Sequence, residues 1–169
     1  MYLKTLELSG FKSFARPTAL EFPSPITALV GPNGSGKSNI KEAIQWALGE
    51  QSLKELRGRR GEDLIWNGSS GLGRLGRASV TLAFDNALKK APIDFDEISI
   101  TRTIFRDGAG EYFLNASPVR LKDIAEIAAH MGMGQIHHNI IGQGEVDRIL
   151  LSSAKERKEM LEEAIGLKI

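Results

Sequence analysis

Residues 31–38 read Gly31-Pro32-Asn33-Gly34-Ser35-Gly36-Lys37-Ser38, the pattern G-x-x-x-x-G-K-[ST], and no other stretch narrows the possible folds as much. Ile26-Thr27-Ala28-Leu29-Val30 runs straight into it, a short β-rich apolar run with the composition of a strand buried on both faces. Behind it Ile40, Ala43, Ile44, Ala47 and Leu48 recur at helical spacing and form one apolar face, which Gly49 closes. Strand, glycine-rich loop and helix in that order frame a phosphate-binding α/β protein. The glycines let the backbone turn its N–H groups inward around an anion, and the amino end of the helix adds partial positive charge. Lys37 is placed to reach the β- and γ-phosphates as a point charge, and the Ser38 hydroxyl to bind Mg2+. The expected ligand is a nucleoside triphosphate with Mg2+. The Asn-Lys-x-Asp run with which GTPases read guanine does not occur in the sequence, which favours ATP.

Charge and composition remove other classes. The 169 residues carry 22 Lys plus Arg against 21 Asp plus Glu. That balance excludes a uniformly basic nucleic-acid-binding tail and leaves room for a local basic patch. The sequence has no cysteine. A disulfide framework, a Cys-ligated zinc and a thiol nucleophile are therefore excluded, and the cytoplasm is the expected compartment. The first residues lack a signal-peptide apolar core. The longest stretch free of Asp, Glu, Lys and Arg, residues 127–144, is interrupted by His, Gln, Asn and Gly, so no membrane span is expected.

Elsewhere, residues 2–8 and 20–22 read as strands, and residues 51–76 as a Gly- and Arg-rich loop broken around Leu64-Ile65-Trp66. Residues 78–84 alternate Val80, Leu82, Phe84 with Ser79, Thr81, Ala83, a half-buried strand. Residues 98–105 and 111–114 flank Asp107-Gly108-Ala109-Gly110, a hairpin signal. Ser117 and Pro118 are expected to cap and open a helix whose apolar face is Leu121, Ile124, Ala125 and Ala128. Ser153 and Glu156 resemble a capping box that opens a charged final helix to about residue 165.

Phosphoryl transfer also needs an acid on Mg2+ and a group to orient water. Asp85, after Val80-Thr81-Leu82-Ala83-Phe84, matches in pattern, but its strand is half exposed and Asn86 follows it, so a turn residue is the simpler reading. Gln143, between Gly142 and Gly144, is either a second Mg2+ contact or an exposed loop residue. His130, His137 and His138 read as surface or helix-end histidines rather than a metal cluster. Between residues 54 and 77 lie Lys54, Arg57, Arg59, Arg60, Arg74 and Arg77 against Glu55, Glu62 and Asp63, a local excess of three positive charges. Such a loop is a solvated surface or a sequence-independent contact to DNA phosphates.

Taken together, Gly10-Phe11-Lys12-Ser13-Phe14, the phosphate loop with Asn39-Ile40, Leu48-Gly49-Glu50-Gln51-Ser52, Leu56-Arg57-Gly58, Arg120-Leu121-Lys122-Asp123-Ile124 and Gln143-Gly144 resemble the N-terminal half of the head of bacterial SMC proteins. These are the chromosome-organising ATPases of the ABC class, and the likeness spans essentially the whole chain. The phosphate loop also occurs in repair ATPases of the Rad50 and RecN kind, the alternative reading; Leu56-Arg57-Gly58 favours SMC. Lys41-Glu42 departs from the small or acidic residues expected after Asn39-Ile40, with no effect expected on phosphate binding.

The resemblance implies an α/β, ABC-type N-terminal head lobe over residues 1–152, with a mixed sheet, the phosphate-loop helix and an antiparallel β subdomain, and the root of a coiled-coil arm over 153–169. It implies that Pro32, Asn33, Gly34, Ser35, Gly36, Lys37, Ser38 and Asn39 hold ATP, with Lys12 and Ser13 as a nucleotide-contacting pair. Gln143 then looks like the Q-loop residue meeting Mg2+ and the attacking water. Arg57 resembles the arginine that reaches the triphosphate in the engaged head. Arg59, Arg60, Arg74, Arg77 and Lys122 become candidate DNA contacts. The signature motif, Walker B acid and catalytic glutamate belong to the C-terminal half of such a head, and the 26 positions after Gln143 are too few for them. The chain is thus expected to be half of a head, without turnover by itself. Expected partners are the C-terminal half, a second full-length chain, DNA and a kleisin-type subunit, at the nucleoid and not at a membrane.

Overall fold

A computed structural model describes residues 1–53, 56–58, 60–91, 93–133, 151–153, 155 and 158. Six strands form one sheet: β1 (Leu3–Ser9), β2 (Thr18–Glu21), β3 (Arg77–Asp85), β4 (Glu97–Phe105), β5 (Gly110–Leu114) and β6 (Ser117–Pro118). Their order is β2-β1-β3-β4-β5-β6, and every described ladder is antiparallel. Helix α1 (Lys37–Ala47) packs against β3 and β4, and α2 (Leu121–Ala128) against β5.

Register sorts the side chains. Leu6 pairs with Leu82 and Leu82 with Ile100, while Leu8 pairs with Val80 and Val80 with Arg102. Period-two alternation therefore puts these residues on one face. Leu6, Leu8, Val80, Leu82 and Ile100 are buried there with Ala43, Trp46 and Ala47 of α1. The opposite face is polar: the Thr81 and Thr101 hydroxyls lie 2.9 Å apart, and Thr103 Oγ1 donates to Ser79 Oγ at 3.2 Å. Buried Asn86 holds the β3–β4 connection. Its Nδ2 donates to the carbonyls of Ile93 (3.1 Å) and Phe95 (2.9 Å), and its Oδ1 accepts from the Ala91 N–H (3.1 Å).

The α/β class, the P-loop helix and the hairpin between β4 and β5 agree with the sequence reading. Four details differ. Residues 26–30 form no strand; Ile26 and Val30 are 90% and 92% exposed. A strand buried on both faces needs neighbours on both edges, and no described ladder takes this run as a partner. Ser117 and Pro118 form the short edge strand β6 instead of a helix start. Asn115 and Ala116, both at positive φ (45° and 64°), make the tight turn that folds Ser117 back onto Leu114, and an edge strand tolerates a proline with no N–H. The α2 start falls to Arg120, whose N–H donates to Asp123 Oδ2 at 2.8 Å. On α2 itself Ala125 is exposed and Ile127 is half-buried. On α1 Ile40 and Ile44 are only half-buried, while Glu42, Gln45 and Trp46 are buried with Ala43 and Ala47. The expected 153–169 helix falls almost wholly outside the described residues.

Candidate functional site

The loop of residues 31–36 is irregular and leads directly into α1 at Lys37. Gly34 and Gly36 take φ of +82° and +92°, a conformation costly for any residue with a Cβ. At Gly36 space matters as well. A Cβ there would sit 3.2 Å from Ser13 Oγ and 3.6 Å from the Phe14 ring, so the turn at residues 11–14 closes directly onto the loop. Lys37 folds back into its own loop. Its Nζ donates to the Gly31 carbonyl and, at 2.6 Å, to the Pro32 carbonyl, with Ser35 Oγ at 3.5 Å. A cation aimed into a ring of glycine backbone at the positive end of a helix is a donor set suited to a polyphosphate. Ser38 follows, exposed, in the first turn of α1.

The 11–14 turn is held from behind. Gly10 sits at φ +68°, and a Cβ there would lie 2.4 Å from the Arg77 carbonyl oxygen. Phe11 is fully buried, its ring 5.4 Å from that of Trp46 in α1, and it bridges to Phe14 and Ile65. The Lys12 N–H donates to the Leu64 carbonyl at 2.8 Å, and Asn39 Nδ2 donates to Ser13 Oγ at 2.8 Å. Thus Ser13, Gly36 and Asn39 meet.

Lys12 and Arg57 meet too, through a residue the sequence reading passed over. Glu42, 2% exposed and five residues along α1 from Lys37, receives Lys12 Nζ on Oε2 and Arg57 Nε on Oε1. Lys12 Nζ also donates to the Leu56 carbonyl. Arg57 stands on a tight turn at φ +49°, anchored by buried Leu56, with the Gly58 N–H donating to the Leu53 carbonyl at 2.8 Å. The sequence signal for it is slight, an acid within an amphipathic helix, because the burial that makes partners necessary depends on segments 30 and 15 residues away.

Other candidates are more scattered. Arg60 and Arg74 both approach Glu62, at 3.5 and 3.8 Å. Arg77 is exposed at the start of β3. Lys122 lines a separate groove with Leu48, Gly49 and Gln51 at the far end of α1. Asp85 Oδ1 accepts from the Ala87 N–H at 3.3 Å, a turn contact. It lies at the far end of β3, eight residues or about 27 Å from Arg77, whose carbonyl abuts Gly10 just before the 11–14 turn. His130 Nδ1 contacts the Glu126 carbonyl at 2.8 Å. Lys54, Arg59, His137, His138 and Gln143 lie outside the described residues. No helix among the described residues is long and apolar enough to cross a membrane.

Residues 2–151 match the family model described as the RecF/RecN/SMC N terminal domain. Over 99% of its length the chain is 52% identical to the chromosome partition protein Smc of Mycolicibacterium paratuberculosis and 49% identical to that of Bacillus subtilis. In both cases it spans 14% of the relative's length. Among solved structures it resembles one from work on ATP-driven dimerization and DNA-stimulated activation of SMC ATPases, with TM-score 0.91, 37% identity, and coverage of 98% of this chain and 99% of that one. It also resembles an Smc head with an extended coiled coil bound to the C-terminal domain of ScpA from Pyrococcus furiosus (TM-score 0.88, 36% identity, 96% of this chain and 41% of that one). The recombination mediator RecF shares the fold at 22% identity and TM-score 0.56, over 73% of this chain and 29% of that one.

Proposed function

Because the chain belongs to the RecF/RecN/SMC N-terminal domain family, as the N-terminal half of a bacterial SMC head, we propose that residues 31–39 bind ATP. The longer protein then uses ATP binding and hydrolysis to engage and release its heads, and so organises DNA for chromosome condensation and segregation. The observation that carries the reading is Lys37, whose ammonium already points into the glycine loop and rests on backbone carbonyls. A triphosphate offers that ammonium stronger, anionic acceptors than two neutral carbonyls. Ser38 supplies one oxygen to Mg2+, and Gln143 a second contact and a hold on the attacking water. A bound Mg2+ would supply charge neutralisation at the phosphates; the residues of this chain contribute grip and orientation. Lys12, Ser13 and Asn39 border the nucleotide, and Arg57 reaches the triphosphate in the engaged head.

Residues 1–152 serve as the head portion and 153–169 as the root of a coiled-coil arm. The signature motif and Walker B acid come from the C-terminal half, so this chain alone does not turn over ATP. A second full-length chain, DNA and a kleisin-type subunit complete the machine at the nucleoid. Arg59, Arg60, Arg74, Arg77 and Lys122 contact DNA phosphates without reading sequence. The test is Mg2+-dependent ATPase activity of the full-length protein. Lys37→Ala is expected to lower kcat/KM by at least about a hundredfold, because the principal phosphate-facing cation is gone. Undiminished activity and nucleotide affinity in that variant refute the site.

A further inference from the structure

The carboxylate of Glu42 has a place in the structure that the phosphate-loop pattern does not account for. It is buried at 2% exposure in α1 and holds one cation on each oxygen. The two cations arrive from separate segments, the 11–14 turn and the turn carrying Leu56 and Arg57. The grip on Arg57 is by one edge only. Nε meets Glu42, while the side chain remains 58% exposed and its Nη groups have no partner among the described residues. A guanidinium is planar with donors on a rigid fork, so fixing Nε fixes the direction of the Nη edge. That edge is the one that pairs bidentately with phosphate oxygens.

We propose that Glu42 is a positioning residue: it holds Arg57 by Nε, with Lys12 on its other oxygen, so that the Nη edge of Arg57 is presented to the triphosphate. This rests on the reading of the loop as an ATP site and names the residue that orients one of its contacts. The arrangement also keeps the cluster at a net charge of +1, with Lys12 balancing the acid and Arg57 left to face the ligand. Without Glu42 the guanidinium keeps its charge and loses its aim.

The experiment is a double-mutant cycle in the full-length protein, reading kcat, KM and ATP affinity. Because Arg57 acts in the engaged head, Glu42→Gln is expected to lower kcat about tenfold or more, as misplacement of a transition-state contact does, with ATP affinity of the separate heads within about threefold of wild type. In an Arg57→Ala background the same substitution is expected to lower kcat no further. A loss of equal size in both backgrounds overturns the proposal, since Glu42 then acts through the fold. So does a kcat of Glu42→Gln within twofold of wild type, or an Arg57→Ala that leaves kcat unchanged. Arg57→Lys provides a second route should Glu42→Gln fold poorly. It keeps a cation for Glu42 and has no second edge, so it is expected to lose as much kcat as Arg57→Ala; full activity overturns the proposal. Lys37→Ala distinguishes the two levels: if it alone loses activity, the ATP site stands and only the role of Glu42 falls.

Discussion

Arg102 joins β4 to the end of α1, and its removal has a calculable cost. The guanidinium carbon lies 4.6 Å from the centre of the Trp46 ring and 5.0 Å from that of Tyr112. Nη1 donates to the Trp46 carbonyl at 2.7 Å and the Glu50 carbonyl at 2.8 Å. Both acceptors lie at the carboxyl end of α1, where a cation is favoured. Burial pulls the Arg102 pKa down, against the opposing pull of Tyr112 and Glu50, but an arginine remains charged at any working pH. Arg102→Leu keeps much of the volume and removes two hydrogen bonds from a charged donor, at about 1.5–3 kcal/mol each, and forfeits cation–π contacts of about 0.5–2 kcal/mol. Relief from desolvating the guanidinium offsets part of this, so the expected net loss is about 3 kcal/mol. At about 2–4 °C per kcal/mol, Tm should fall by about 6–12 °C. Arg102→Lys, which keeps the charge without the planar stack, should lose roughly half as much. Urea and thermal unfolding of the protein measure both variants. A loss below about 1 kcal/mol for Arg102→Leu would show that the desolvation penalty cancels the contacts, and the clamp would then contribute nothing.

Two further outcomes follow from backbone and charge. Gly10→Ala forces a Cβ to within 2.4 Å of the Arg77 carbonyl oxygen at φ +68° and should destabilise by about 3 kcal/mol or more; a chemical denaturation midpoint equal to wild type refutes the assignment. The Arg120 side chain and N–H hold the Asp123 carboxyl below the usual aspartate range. A carboxylate lowered in the folded state stabilises above its unfolded pKa, and that contribution is lost as pH falls through the lower folded value. Weakening of the α2 start is therefore expected only in acid, read from the Asp123 carbon chemical shift and from amide exchange at Arg120. Asp123→Asn should erase the pH dependence; a titration at the ordinary aspartate value contradicts it.

The sequence pattern carried the phosphate loop, α1 and the β4–β5 hairpin because each is a local rule: glycines before a lysine, a helical period, a turn between alternating runs. What it did not carry depends on distant residues. Apolar content at residues 26–30 is visible in the sequence, whereas the neighbour such a strand requires is not. Ser117-Pro118 satisfies a helix-start rule, yet the positive φ of Asn115 and Ala116 turns it into a strand edge. Glu42 looks like a solvent-facing residue of a helix until Lys12 and Arg57, 30 and 15 residues away, are folded onto it. Lys12 and Arg57 each belong to a short motif that the resemblance covers, whereas their shared partner is defined only by the contact that brings the two motifs together.

Trp46 touches both ends of the connection between sheet and helix: Phe11 packs against its ring from the β1 side, and Arg102 stacks on it from β4. Glu42, at the middle of α1, is tied to Lys12 of the 11–14 turn, and Arg102 of β4 grips the Trp46 carbonyl near the helix end and the Glu50 carbonyl just beyond it, contacts that oppose a roll of α1 about its axis. A displacement of the glycine loop is then expected to reach the sheet through these contacts rather than stop at the start of the helix.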